Sequence, residues 1–325
     1  MTAYNGILFA LLTTLSWSIG LFPFTQAARR MGSNVLNHFR LPLATLLLAI
    51  TAFIIDSAAL ADLFRCFVPQ AWLWFALSGI VGLTLGDYFG FSMYAILGAR
   101  IGSVLATLAP PATLVLAALL IDERMNVTGI IGIFITIIGV ISISLGRRER
   151  VKIPDHGHGS IASGIIFGVL SAFCQGAGLV MAKKGIAALD AQYKVISPVH
   201  HTFMRVVAAT LSLYIFSLIS GQLKGVISGI KKSDKATIRY AIAGTMFGPF
   251  IGVSLSLYTI TLIDVAVAQT IFSLMPAIVM LISFFFFKDK ISLQSVIGAI
   301  TAIGGVVILI WRNEVTAWVS SHLLK

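Results

Sequence analysis

Charged residues are scarce in this chain of 325 residues, at 11% of the total, against about a quarter in an average soluble domain. Only 12 residues are acidic, whereas 58% are apolar, and the mean hydropathy is +0.98. So little polar surface could not cover the core of a soluble protein of this size. The composition excludes a disordered chain, a nucleic-acid-binding domain and an ordinary soluble enzyme, and it indicates that lipid is the solvent.

Cysteine and metal-binding motifs are also nearly missing. Cys66 and Cys174 border or lie inside apolar runs, without the spacing of a disulfide framework. His156 and His158 lack further ligands to complete a zinc site, and no phosphate-binding loop motif occurs. We therefore predict no metal, no cofactor and no ATP-driven transport by this chain alone. No lysine or arginine precedes Arg29, so the first apolar run is predicted to be a retained helix rather than a signal peptide.

Long apolar runs are abundant. A helix needs roughly 20 apolar residues to cross a bilayer core of about 30 Å. The runs predict ten such helices, approximately at 4–24, 34–55, 69–97, 101–121, 127–146, 161–182, 196–219, 238–262, 265–287 and 292–311. They show none of the alternation of a β-barrel, and helices satisfy their own backbone hydrogen bonds in lipid. The predicted fold class is an all-α integral membrane protein.

The two halves of the chain repeat each other in order. The matches are 5–21 with 163–179, Arg40 and Thr45 with Arg205 and Thr210, Pro110 with Pro276, Gly132 and Gly139 with Gly298 and Gly305, and Glu123-Arg124 with Asp289-Lys290. Each half holds five helices, an odd number, so the second half enters the membrane from the opposite side. We predict two inverted five-helix repeats at 1–146 and 161–312, a connecting loop at 147–160 and a tail at 313–325. Such repeats can expose a central cavity to each side in turn.

Several motifs occur in a fixed order along both halves. They are Ser16-Trp17 within helix one, an arginine opening helices two and seven, a mid-helix proline in helices four and nine, Glu123 closing helix four, and glycine-spaced helices five and ten. This order resembles the EamA-type branch of the drug/metabolite transporter superfamily over nearly the whole chain. The resemblance implies a secondary transporter of small metabolites or drugs, with a cavity lined by helices one, three, four, six, eight and nine. Gln175 departs from the pattern by standing where the first repeat has Trp17, and Asp289 stands where Glu is usual.

Charged residues inside the predicted helices are candidate functional groups. The uncharged stretch after Arg40, residues 41–55, makes about 22 Å of helix, so this arginine lies in or near the membrane, where an unpaired arginine costs at least ~2.5–3.5 kcal/mol. Arg40 and Arg205 are either interfacial anchors or structural ion pairs, or else contacts for an anion or carboxylate. Asp87 is either a hydrogen-bonded structural carboxylate or the site that couples transport to protons or cations.

Polar residues on otherwise apolar helices form a second group of candidates for a substrate site. They are Trp17, Gln175, Tyr94, Tyr258, Gln269, Thr107 and Ser273. Each could instead serve ordinary helix packing with interhelical hydrogen bonds. Trp17 and Gln175 form the first-ranked pair because they occupy equivalent repeat positions. Pro110-Pro111 and Pro276 are expected to kink helices four and nine, which would free backbone carbonyls.

The orientation of the chain stays open at this stage. Fourteen of the 23 lysines and arginines fall in odd-numbered connections, and seven fall in even-numbered connections and at the termini. The positive-inside rule then places both termini outside, whereas the family resemblance implies that both are inside. An even number of helices places the two termini on one side in either case.

The leading functional prediction is a secondary active transporter, a permease or an exporter, of a small organic metabolite or drug, and not an enzyme. A membrane-embedded enzyme or a non-transport receptor is the alternative. The predicted partners are a small-molecule solute and membrane lipids, with no nucleic acid, and the expected location is a bacterial inner or cell membrane. Proton coupling, direction of transport and oligomeric state stay open, and a monomer is compatible with the sequence.

Overall fold

The computed structural model describes residues 2–65, 68–146, 160–191, 197–288 and 291–322. Most of the connecting loop at 147–160 lies outside the described residues, as do His156, His158, Asp289 and Lys290. Within the described ranges every regular element is helical, which confirms the predicted fold class.

The helices are α1 (Thr2–Met31), α2 (Ser33–Arg65), α3 (Pro69–Ser78), α4 (Gly86–Ala106), α5 (Ala109–Ile121), α6 (Val127–Gly146), α7 (Ile161–Asp190), α8 (Pro198–Ile219), α9 (Leu223–Lys232), α10 (Lys235–Thr245), α11 (Val253–Leu262), α12 (Val265–Phe272), α13 (Met275–Phe287), α14 (Leu293–Ile310) and α15 (Arg312–His322). Two π-helical segments join neighbouring helices. Gly79–Leu85 lies between α3 and α4, and Met246–Gly252 lies between α10 and α11.

Ten spans in the described residues are long and apolar enough to cross a membrane, as predicted. In chain order, spans 1 to 10 are Tyr4–Met31, Ser33–Phe64, Pro69–Tyr94, Gly102–Ile121, Val127–Leu145, Ile161–Asp190, Pro198–Ile219, Lys235–Leu262, Val265–Phe286 and Leu293–Ile310. Spans 1, 2 and 6 run past their predicted ends because helical hydrogen bonding continues after the apolar run stops. Span 1 ends where Gly32 takes up a left-handed conformation with φ +83.

Helices α9 and α15 lie outside the spans. α9 is amphipathic and ends on Lys231 and Lys232, while its Val226 is buried. α15 occupies most of the region that the sequence predicts as a tail. Large apolar side chains such as Ile54, Leu119 and Ile219 remain exposed on the outside of the spans, as a lipid-facing surface requires.

The two repeats are related by a pseudo-two-fold axis. Thr45 and Thr210 are equivalent residues, and their hydroxyl groups hydrogen-bond each other at 2.8 Å, so the axis passes between them. The same symmetry pairs spans 5 and 10: a Cβ on Gly132 would lie 2.9 Å from the Gly305 carbonyl oxygen, and one on Gly305 would lie 2.7 Å from the Gly132 oxygen. Glycine lets these two backbones touch.

The first helix of each repeat packs against the third helix of the other repeat. α1 packs against α10, the second π-helical segment and α11, whereas α7 packs against α3, the first π-helical segment and α4. Gly20 lies against Phe247 in the first contact, and Gly178 lies against Gly82 in the second. Residues from both repeats therefore surround the seam between them.

Both ends of the ten-span bundle lie at one face, which we call the terminal face. Gly6 lies against Ile263, beyond the end of span 8, and Arg312 pairs with the adjacent Asp264 at 2.6 Å. At the opposite face, Arg30 pairs with Asp234 at 3.4 Å.

Candidate functional site

An ion pair between a buried arginine and a partly buried aspartate connects spans 2 and 3. Arg40 is only 6% exposed, and its Nη2 donates to Oδ2 of Asp87. Its Nε donates to Oδ1 of Asn37 at 2.6 Å, and Phe24 and Phe91 place their rings 5.6 and 5.2 Å from the guanidinium carbon. Arg40 therefore has a charged partner, a neutral acceptor and two aromatic faces, a combination that lowers the cost of a cation inside a membrane.

Asp87 connects this pair to the other repeat. Gln175 of α7 donates from Nε2 to Asp87 Oδ1 at 3.1 Å, and its Nε2 also lies 3.4 Å from the carbonyl oxygen of Gly82 in the first π-helical segment. The two carboxylate oxygens are thus bonded to different repeats. Protonation of Asp87 would weaken both contacts together, whereas a rearrangement of the seam would act on the contact with Gln175.

Arg205 lies in the same seam with different surroundings. The residue is 2% exposed, and its Nε has no hydrogen-bond partner among the described residues. Its Nη2 lies 2.6 Å from the position a Cβ on Gly82 would take, and 3.2 Å from that on Gly178. The guanidinium therefore fits between two glycines, one from each repeat, and Asp87 lies within electrostatic range.

Trp17 and Gln175 make equivalent contacts in the two repeats. A Cβ on Gly252 would lie 2.3 Å from the Trp17 indole ring, and one on Gly86 would lie 3.3 Å from Gln175 Nε2. Gly252 ends the second π-helical segment and Gly86 follows the first. The symmetric positions therefore carry an aromatic ring on one side and a hydrogen-bonding amide on the other.

The remaining candidates lie apart from the charged cluster. Tyr94 covers Gly102, and Tyr258 packs edge-on against Phe9 at 4.6 Å. Gln269 has a buried Oε1 without a partner among the described atoms. Thr107 donates to its own helix at Val104, as Ser273 does at Thr270, with Oγ–oxygen distances of 2.7 and 2.6 Å. No hydrogen bond in the described part of the chain joins these residues to Arg40, Asp87, Gln175 or Arg205.

Spans 4 and 9 are interrupted at equivalent places. Thr107 lies between α4 and α5, and Ser273 lies between α12 and α13. Pro110 and Pro276 each occupy the first turn of the following helix, so the expected kinks are present. Interrupted helices are common around transporter binding sites because they leave polar backbone groups inside the membrane.

Sequence reasoning missed several residues of this site. Asn37 stands three residues before Arg40 on the same helix, a spacing at which side chains meet, and this signal could have identified it. Phe24, Phe91 and the two glycines beside Arg205 come from distant segments, and no local pattern points to them. His200 and His201, near the start of span 7, are 0% and 2% exposed.

A polar network closes the terminal face across the repeats. Glu123 of the first repeat pairs with Lys183 of the second, and its Oε2 accepts from the backbone N–H of Val265 at 2.9 Å. Lys183 also donates to the carbonyl oxygen of Ile263 at 3.2 Å. Glu123 thus caps α12 and holds the two repeats together at this face.

Comparisons with known proteins agree with this architecture. The sequence profile of the EamA-like transporter family matches residues 4–145 and 162–311. This chain belongs to that family. A solved structure described only as a crystal structure of a protein shares the fold, with a TM-score of 0.65 and 15% identity over 94% of this chain and 96% of the other. A search of curated proteins finds no match.

Membership confirms the resemblance drawn from the motifs and explains the two five-span halves, because the profile matches once in each. The EamA-like protein is thus an integral, multi-pass membrane transporter of the drug/metabolite type.

Proposed function

We propose that this EamA-like protein is a secondary active transporter of a small organic solute, working by alternating access between its two inverted repeats. One observation carries the proposal: the Asp87 carboxylate inside the membrane is bonded to Arg40 of one repeat and Gln175 of the other. Buried charged groups in membrane helices mark solute and ion pathways. Here such a group lies where the two repeats meet.

The transport cycle follows from which contacts cross the seam. Rocking of one repeat against the other must break the Glu123–Lys183 pair to open the terminal face, and it must remodel the contact between Asp87 and Gln175. Arg40 and Asp87 belong to one repeat, so their pair can persist through the rocking motion. A proton that neutralises Asp87 would release Arg40 and favour a different packing of the seam, which makes Asp87 the proposed coupling residue.

The test is uptake by vesicles that contain the purified protein. A metabolite panel is offered with and without a pH gradient, and mass spectrometry follows both the amount and the identity of the internal solute. Accumulation of an unchanged solute above the level in protein-free vesicles is the expected result. Chemical conversion of the solute would instead make the protein an enzyme, and neither movement nor conversion would favour a receptor.

A further inference from the structure

Arg40 and Arg205 are equivalent residues, but each contact that Arg40 makes has been replaced in the second repeat. The equivalents of its four partners Asn37, Asp87, Phe24 and Phe91 are Thr202, Val253, Ala182 and Leu257. Thr202 donates its hydroxyl to the carbonyl oxygen of Pro198 in its own helix at 2.9 Å. None of the four replacements offers a carboxylate, a free amide oxygen or an aromatic face to Arg205.

The charged side chains at the seam therefore include two cations, Arg40 and Arg205, and one anion, Asp87. Two guanidinium groups share one carboxylate, and Asp87 already has one oxygen on Arg40 and the other on Gln175. No acidic side chain in the described ranges pairs with Arg205, and its Nε stays without an acceptor although the residue is 2% exposed. A cation inside a membrane without a counter-charge of its own is costly, so this arrangement calls for an anion from outside the chain.

The guanidinium of Arg205 is packed between the two repeats, so an anion from outside the chain reaches it when the seam opens. Gly82 and Gly178 hold the guanidinium between the repeats, and a methyl group at Gly82 would lie 2.6 Å from Nη2. Both glycines stand near the middle of spans 3 and 6. The guanidinium is thus located where the seam must open during transport.

We propose that Arg205 binds a carboxylate group of the transported solute. This carboxylate pairs with Arg205 as Asp87 pairs with Arg40. The inference rests on the proposed transport function and adds the chemical class of the solute. A carboxylate fits because its two oxygens match the planar fork of a guanidinium, as a neutral amide or an alcohol does not.

The first experiment measures binding without transport. Thermal unfolding of the purified protein in detergent is followed with mono- and dicarboxylates and amino acids, each beside its carboxamide. At least one carboxylate is expected to raise the melting temperature while its carboxamide does not. Arg205→Gln should weaken the binding of that carboxylate at least tenfold, and Arg205→Lys should weaken it less. Arg239→Gln, a change at an exposed arginine of α10, should leave the binding unaltered.

A second variant protects the test against a misfolded Arg205→Gln protein. Val253→Asp places a carboxylate at the position equivalent to Asp87, on α11, which packs against α8. This internal carboxylate should raise the melting temperature of the unliganded protein and abolish the shift caused by the external carboxylate. Val253→Leu serves as the control and should do neither.

Two outcomes would overturn the inference. In the first, carboxylates and their carboxamides raise the melting temperature equally, or neither raises it. In the second, carboxylate binding survives both Arg205→Gln and Val253→Asp. The proposed function fails separately. If carboxylates bind through Arg205 but never enter vesicles, the carboxylate site is supported and the proposed transport function is wrong. If vesicles with the wild-type protein and with Arg205→Gln accumulate a neutral solute equally, the transport function is supported and the carboxylate site is wrong.

Discussion

Arg40 and Arg205 occupy the same position in two copies of one motif, yet among the described residues only Arg40 has an ion-pair partner and a hydrogen-bond acceptor for its Nε. An inverted duplication begins with two identical half-sites. Here the first repeat carries a carboxylate at residue 87, whereas the second carries a valine at residue 253. The difference shows how a symmetric scaffold acquires an asymmetric site: the packing is preserved, and the polar groups in the seam diverge.

The largest expected effect concerns the acid that only one repeat has. Asp87→Asn keeps the shape of the side chain but removes the charge and the capacity to take up a proton at this position. We expect solute accumulation driven by a pH gradient to be lost. Asp122→Asn is the control because that carboxylate is 89% exposed. Undiminished pH-driven accumulation in Asp87→Asn would remove Asp87 from the coupling mechanism.

The two arginines should differ sharply in their contribution to stability. Arg40→Gln leaves the partly buried Asp87 without its ion-pair partner, which is expected to cost up to roughly 3–5 kcal/mol of stability. Arg205→Gln removes a cation that has no ion-pair partner in the described part of the chain, so stability should hold or rise. Thermal unfolding of both variants without solute measures the contrast, and equal losses would show that Arg205 is a structural partner in the folded chain.

The symmetric contact between spans 5 and 10 offers a comparison within one helix. A Cβ on Gly305 would lie 2.4 Å from the backbone nitrogen of Thr136, whereas one on Gly304 meets nothing within 4 Å. Gly305→Ala should therefore cost roughly 1–3 kcal/mol through overpacking, and Gly304→Ala should be neutral or slightly stabilising. Similar melting temperatures for the two variants would contradict the close approach of these spans.

The smallest effect belongs to the exposed ion pair at the opposite face. A hydrogen bond from the Thr237 hydroxyl is the main cause that lowers the pKa of Asp234, with help from the Thr237 backbone and Arg30. A lowered pKa stabilises the folded state above the ordinary pKa of about 4 and loses that effect as the pH falls through the folded value. Asp234→Asn should lower the melting temperature slightly at neutral pH and not in strong acid. A pH-independent difference would assign the effect to packing.

Much of the fold was predictable because the physics of a bilayer acts on local sequence. Span existence follows from run length, and the inverted relation follows from an odd number of spans in each copy. Spans 1 and 6, which end at Met31 and Asp190, were predicted too short. Hydropathy reports where the apolar run ends and not where helical hydrogen bonding stops. The roles of the nine substrate-site candidates and of Asp87 stay predictions, although the structure brings Arg40, Asp87, Gln175 and Arg205 into one seam.

The sequence by itself determined the solvent of this protein, its ten spans, its duplication and the residues too polar for lipid, since each depends on composition or spacing along the chain. Tertiary structure alone decided which polar groups meet. The Arg40–Asp87 pair joins residues 47 positions apart, and the Asp87–Gln175 contact joins residues 88 positions apart. Such contacts depend on how the first helix of one repeat crosses the third helix of the other, and no local periodicity records that crossing. The same long-range packing left the Arg205 Nε without an acceptor among the residues that the structure describes.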